Sequence, residues 1–386
     1  MSHATTQAVI AGYVRTPFTF ARKGALAGVR PDDLAAIALK GLVEKTGVNP
    51  ALIEDVIMGC AYPEGTQGDN IARNAALLAG LPIETAGVTV NRFCGSSMYA
   101  IHIAAGQIAI GAGEAFIAAG VESMSMVPQG GLSMNPNPKF FIEGAPQAYI
   151  TMGQTAENVA RQFNVPRTEQ EQLAYESQLK AAAAQAEGRL RDEIIPVVNA
   201  EGVLVDKDQC LRPQTTLEGL AALKPAFAED GSVTAGTSSP LTDGASAVLV
   251  TSLEFAQQHG LPILAKIKAT AVAGCPPELM GIGPIPATRK VLARAGLSID
   301  DIDVVEINEA FGSQAVACIR ELGIDHSKVN LDGGGISIGH PLGATGARIT
   351  AKAAQILKRE GGRYALATQC IGGGQGIATI LEAVSA

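Results

Sequence analysis

Tryptophan is absent from this 386-residue chain, and aromatic residues make up only 4% of it. Alanine, valine, isoleucine and leucine must therefore fill the core. An excess of basic charge is also missing. The formal net charge is −8, which argues against a general binder of nucleic acid or of a membrane surface. A local basic site for an anionic ligand remains compatible with that balance. No run of about 18 apolar residues is present, so no membrane span is expected. The six cysteines, at 60, 94, 210, 275, 318 and 370, form no CxxC pair. That spacing excludes the usual cysteine metal sites and indicates no disulfide framework. Neither the phosphate-loop pattern GxxxxGK[ST] nor the dinucleotide pattern GxGxxG occurs, which leaves nucleotide hydrolysis little support. The first residues lack the basic and apolar regions of an export signal, and a cytoplasmic location is expected.

What is abundant is glycine, with 44 residues, in a chain that is 47% hydrophobic. Many tight turns and close backbone approaches are implied. The length suits two or three packed units, and an internal repeat organises them. The strand-like DVIMGC at 55–60 has a counterpart in DVVEIN at 303–308. The Gly/Ser-rich turn carrying Cys94 has one in the turn carrying His340, and the strand beginning at Gly113 has one beginning at Gly362. The offsets are 248, 246 and 249 residues, which points to a duplicated α/β unit. The last strands break the rule: DGASAVLV at 243 resembles GQGIATIL at 374, only 131 residues on. The shortfall of about 117 residues places an insertion in the first unit, near 118–242.

The expected fold class is therefore α/β, with duplicated halves about a pseudo-twofold axis, each a sheet covered by helices. The first half is 1–117 plus 243–262, the inserted loop domain 118–242, and the second half 263–386. Equivalent turns of the two halves would then converge, bringing Cys94 towards His340.

Cys94 lies in VNRFCGSSM, between the strand ending near Val90 and a helix expected over 96–110. A cysteine is often just a small buried residue. At a helix front, free N–H groups and the helix dipole favour the nucleophilic thiolate, so a lowered thiol pKa is expected. His340, in GHPLGATG, is placed to take that proton or to face a developing oxyanion, unless it merely packs or caps. Pro341 suits the first turn of the helix that follows. Cys370 opens CIGGGQG, a turn that serves either as a tight connection or as a set of N–H groups around an anion. Asn308, at the end of DVVEIN, either caps the next helix or holds a water. Cys60, Cys210, Cys275 and Cys318 receive no role.

Together these stretches resemble the thiolase family. The likeness rests on NRFCGSSM around Cys94, MGQTAENVA at 152–160, TAGTSSPLTDGA at 234–245, NEAF at 308–311, GGGISIGHPLGATG at 333–346 and CIGGGQG at 370–376. It spans nearly the whole chain in the expected order. Where biosynthetic acetoacetyl-CoA thiolases commonly carry a histidine before Met-Gly, this chain has Thr151. The likeness therefore leans towards the degradative branch and the thiolase subunit of the bacterial fatty-acid oxidation complex.

The resemblance implies thiolytic cleavage of 3-ketoacyl-CoA, or the reverse condensation. It implies Cys94 as the acylated nucleophile, His340 as its activator and Cys370 as the acid/base. Asn308 would position an oxyanion-hole water, and the N–H groups of Cys94 and Gly372 would form a second oxyanion hole. Ser239 would contact pantetheine, and Arg212 the nucleotide part of CoA. Coenzyme A enters as substrate, with no cofactor and no metal. A homodimer or homotetramer is implied, with a hydratase/dehydrogenase subunit as a further partner. Against the enzyme stands a non-catalytic CoA- or lipid-binding protein, which has no reason to keep two thiols, a histidine and oxyanion turns together. Met124, Met126, Met134, Phe140 and Phe141 either line an acyl channel or pack as an ordinary loop.

Overall fold

The computed structural model describes residues 6–384. In the first half the strands are β1 (Ala8–Arg15), the two-residue β2 (Thr19–Phe20), β3 (Asp55–Gly59), β4 (Ala86–Val90) and β5 (Ala115–Ser123). Within the following segment a small hairpin forms from β6 (Val197–Val198) and β7 (Leu204–Val205). The main sheet resumes with β8 (Thr242–Ser252), and the second half adds β9 (Ala265–Gly274), β10 (Val304–Ile307), β11 (Tyr364–Ile371) and β12 (Gln375–Glu382). Strands β1, β5, β8 and β11 are buried along their whole length. Their near-continuous apolar sequences reflect cover on both faces.

The two halves repeat one topology. Outward from the middle, the first runs β1, β8, β5, β3, β4 and the second β9, β12, β11, β10. The first two pairings of each series are antiparallel and the next is parallel. Where β4 flanks β3, the second half has a single parallel bridge from Val305 to Val329. The expectation of one sheet per half needs correction. β1 and β9 pair antiparallel through Val9 with Lys266 and Ile10 with Ala265, so the halves form one ten-stranded sheet. Each half would otherwise end in an open edge, and the pairing closes both.

β5 and β8 are antiparallel neighbours, with Ser123 opposite Asp243, so residues 124–241 leave and re-enter the sheet at adjacent positions. Residues 118–123, assigned to the insertion from the sequence, instead complete β5, whose partner β8 needs them for pairing.

Two helices hold the middle. One spans Ser96–Ala109, close to the expected 96–110, and the other Leu342–Glu360. Pro341 stands at the N-cap of the second rather than inside its first turn. This helix is buried on all sides from Leu342 to Ala354, as expected for one enclosed between sheet and helix. Its neighbours come closer than side chains permit. A Cβ added to Gly346 would stand 2.4 Å from Met98 N, and one on Gly343 2.4 Å from Val121 O. A Cβ on Gly59 would stand 2.4 Å from Ser97 N. Ser97 Oγ accepts from the Ala347 N–H at 2.8 Å, tying one helix to the other.

Gly346→Ala is therefore expected to destabilise the protein by about 1–3 kcal/mol through overpacking. Gly106→Ala, on the exposed side of the first helix with nothing within 4 Å of the new Cβ, should stabilise it by about 0.5–1 kcal/mol. Thermal unfolding of the two variants side by side checks this, and equal midpoints would contradict the close crossing.

Candidate active site

The sequence around Cys94 folds as a strained turn. Asn91 Oδ1 accepts from the Phe93 N–H at 2.8 Å, and Phe93 itself adopts φ 42°, unusual for a bulky residue. Ser96 Oγ accepts from the Arg92 N–H at 2.8 Å and donates to Phe93 O at 2.6 Å. Gly95 leaves room for β11, because a Cβ there would stand 2.5 Å from Ile371 Cδ1. The turn thus presents Cys94 at the front of the helix, in an apolar pocket with Ala21, Ala61, Met124 and Leu342.

Burial here reverses the expectation of a lowered thiol pKa. It pushes Cys94 up to about 11, with Glu122 adding to the rise, against the N–H groups of Gly372 and of Cys94 itself. The helix front is outweighed because a thiolate in this pocket loses its water. Those two N–H groups thus lie beside the Cys94 sulfur.

His340 is buried and held at three points. Its backbone N–H donates to Thr242 Oγ1 at 3.0 Å, and Nδ1 lies 2.6 Å from Thr345 Oγ1. Thr345 donates its hydroxyl proton to Pro341 O at 2.8 Å. It therefore accepts from Nδ1–H, which leaves the lone pair on Nε2. Asn308 Nδ2 lies 3.3 Å from that Nε2. Burial, reinforced by the Arg348 cation, lowers the His340 pKa to about 3. The imidazole is neutral at physiological pH and able to accept a proton.

Asn308 follows β10 and, rather than capping the next helix, turns to His340. Its buried Oδ1 has no hydrogen-bond partner among the described residues. An acceptor in that position suits the water-holding role. Cys370, next to last in β11, is buried, and its thiol is pushed well above the usual range by burial and then by the charge of Cys94. Gly372 comes within van der Waals distance of Met152 and Phe93, at 3.6 and 3.7 Å from an added Cβ. Cys94, Cys370 and Gly372 thus lie together, His340 and Asn308 form a pair, and Leu342, two residues after His340, joins the Cys94 pocket.

Ser239 and Arg212 are placed differently. Ser239 donates from both N and Oγ to Ala310 O, each at 3.0 Å, so its segment docks on the NEAF turn. Arg212 is exposed, with its guanidinium 5.2 Å from the Phe20 ring centre. Of the loop residues named for an acyl channel, Met134 is 72% exposed and Phe141 66% exposed. Of that loop, Met124 packs against Cys94. A groove of about 560 Å³ between the helices Arg167–Ala186 and Gly312–Leu322 contains none of the site residues.

Sequence reasoning missed Thr345 and Glu122. Thr345 was visible in GATG as a hydroxyl one helical turn into the His340 helix. Glu122 carried no local signal. Among the described residues, no group of three or more metal-ligating side chains occurs.

Comparison with known proteins agrees with this geometry. The family model described as "Thiolase, N-terminal domain" matches residues 8–254, and "Thiolase, C-terminal domain" matches 261–383. The chain is 47% identical to a 3-ketoacyl-CoA thiolase of Bacillus subtilis, over 97% of this chain and 99% of that protein. It is 46% identical to a β-ketoadipyl-CoA thiolase of Acinetobacter baylyi, over 98% and 99%. The crystal structure of human mitochondrial 3-ketoacyl-CoA thiolase in complex with CoA superposes with a TM-score of 0.90. That match has 38% identity and covers 98% of each chain.

With a thiol near 11, alkylation of Cys94 by iodoacetamide should rise about tenfold per pH unit from pH 7 to 10. Peptide mass spectrometry follows the rate, and a plateau below pH 8 would contradict the buried thiol.

Proposed function

The chain belongs to the thiolase family, and from that membership we propose that it is a 3-ketoacyl-CoA thiolase working in fatty-acid β-oxidation. The observation that carries the reading is the Cys94 pocket, where Cys94 from one half lies with Cys370, Gly372 and Leu342 from the other, the His340–Asn308 pair standing two residues ahead of Leu342.

Each step follows from the groups present. His340 Nε2 takes the proton of Cys94, and the sulfur attacks the 3-keto carbon. The oxyanion at C3 would face the N–H groups of Cys94 and Gly372, while His340 and a water held by Asn308 would meet the thioester oxygen, where the enolate charge develops. The bond between C2 and C3 breaks, leaving the acyl group on Cys94, and Cys370 gives its proton to the departing acetyl-CoA enolate. The Cys370 thiolate then removes the thiol proton of a second CoA, whose sulfur attacks the acyl-cysteine. The oxyanion of this second intermediate is the same oxygen and would face the same two N–H groups. Cys94 leaves and recovers its proton from His340. The sequence is redox-neutral and every proton has a side-chain carrier, which supports CoA as substrate with no cofactor.

Ser239, beside the NEAF turn, is proposed for pantetheine, and the exposed Arg212 for the nucleotide phosphates. A homo-oligomer fits the end strand β4, where Val88 is exposed and Ile83, just before the strand, is 67% exposed, and a cytoplasmic location is proposed with it. No helix among the described residues is long and apolar enough to cross a membrane. A hydratase/dehydrogenase partner fits the likeness to a complex subunit.

The test is CoA-dependent thiolysis of acetoacetyl-CoA, 3-ketoadipyl-CoA and a long-chain 3-ketoacyl-CoA, on protein sized by light scattering. Expected are long-chain turnover, an oligomer mass, and loss of turnover by at least about 1,000-fold in Cys94→Ala with CoA binding retained. Turnover of acetoacetyl-CoA alone would move the assignment to the short-chain synthetic enzyme, and a monomer would remove the oligomer. Turnover persisting in Cys94→Ala would sink the nucleophile.

A further inference from the structure

Glu122 stands near the end of β5 with no exposed surface, and the groups around it point protons at it. Its carboxylate accepts from the N–H of Ala61 at 2.8 Å, the N–H of Tyr62 at 3.2 Å and Gln67 Nε2 at 2.8 Å. It also accepts from the N–H of Gly343 at 2.8 Å, and the Cys60 thiol lies at 3.7 Å. Burial raises the carboxyl pKa, but donors on every side oppose that rise and favour the ionised form, because a protonated carboxyl would turn its own O–H against one of them. Ala61 and Tyr62 belong to the turn after β3, and Ala61 shares the apolar pocket of Cys94. Gly343 lies in the first turn of the His340 helix, where an N–H has no partner within its own helix. One carboxylate therefore joins the wall of the Cys94 pocket to the start of the His340 helix, across the two halves of the chain.

We propose that Glu122 is a positioning residue for the reaction: a buried carboxylate that sets the His340 helix against the Cys94 pocket and whose charge keeps Cys94 a thiol until His340 takes its proton. The inference rests on the roles given above to Cys94 and His340. The titratable groups around Cys94 are the Tyr62 phenol from the turn after β3, Cys370 from β11 and Glu122 from β5, with neutral His340 two residues ahead of Leu342 in the same pocket. Of these Glu122 carries the full charge, and it acts on the thiol in the same direction as burial. The arrangement limits stray alkylation or oxidation of the nucleophile while leaving it reactive towards a substrate held beside His340.

The charge and the tie can be separated. Glu122→Gln removes the charge and offers N–H groups to donors. It is expected to lower kcat/KM for thiolysis by at least about tenfold, yet to speed iodoacetamide alkylation of Cys94 at pH 8 by about threefold or more. Glu122→Asp keeps the charge but is too short to span both partners. It should lower kcat/KM and leave the alkylation profile where it was. Alkylation of folded Glu122→Gln no faster than the parent protein overturns the inference, as does wild-type kcat/KM in either variant. If Glu122→Gln does not fold, Glu122→Asp decides alone: reduced kcat/KM with unmoved alkylation supports the inference, and wild-type kcat/KM overturns it. Absence of thiolysis in the parent protein would sink the functional reading instead. The alkylation comparison would then still decide the charge effect.

Discussion

The whole arrangement depends on two helices meeting closer than ordinary side chains permit. Gly343 and Gly346 of one helix lie against the backbone of Val121 and Met98, while Gly59 lies against Ser97. A methyl group at Gly346 would push the helices apart, and one at Gly343 or Gly59 would push a helix off β5 or β3. The crossing brings the fronts of both helices to one point, so Cys94 from the first half and His340 from the second can serve one substrate. The glycine and serine residues around each front are thus explained twice. They allow the approach, and through Ser96 and Ser97 they hold the turn and join the helices.

The same packing sets the electrostatics. Excluding water raises the thiol pKa of Cys94 and Cys370 and lowers that of the His340 imidazole. The resting thiols and imidazole are neutral, with Glu122 the charge beside Cys94. Preorganised N–H groups then count for more than they would in water, because no solvent competes with them. The Thr345 hydroxyl contributes by spending its own proton on Pro341 O, which commits His340 to the tautomer with a free Nε2.

Much of this was legible in the chain. The recurring offset exposed the duplication because each half keeps nearly the same chain length between corresponding strands and turns. Cys94 and His340 stood out because each precedes a helix within a run of small residues. What could not be read depends on contacts between distant residues. Glu122 looks like any charged residue in VESMS, and only the fold brings the Gly343 N–H to it, 221 residues away. The thiol pKa was misjudged because the helix front is local, whereas the pocket of Ala21, Ala61, Met124 and Leu342 is assembled from four separate segments. The single sheet was hidden for a similar reason, since two residue pairs join β1 to β9. Met134 and Phe141 have the composition of a channel, but their loop stands out in solvent.

The central claim is that the nucleophile and its base come from different halves and act on one substrate. Mapping the acyl adduct tests it most directly. The protein and its His340→Ala variant would be mixed with a long-chain 3-ketoacyl-CoA, quenched in acid and digested for peptide mass spectrometry. The account predicts acyl mass on the Cys94 peptide of the parent protein and its loss in His340→Ala. An adduct on Cys370 in its place, or undiminished acylation of Cys94 without His340, would contradict it.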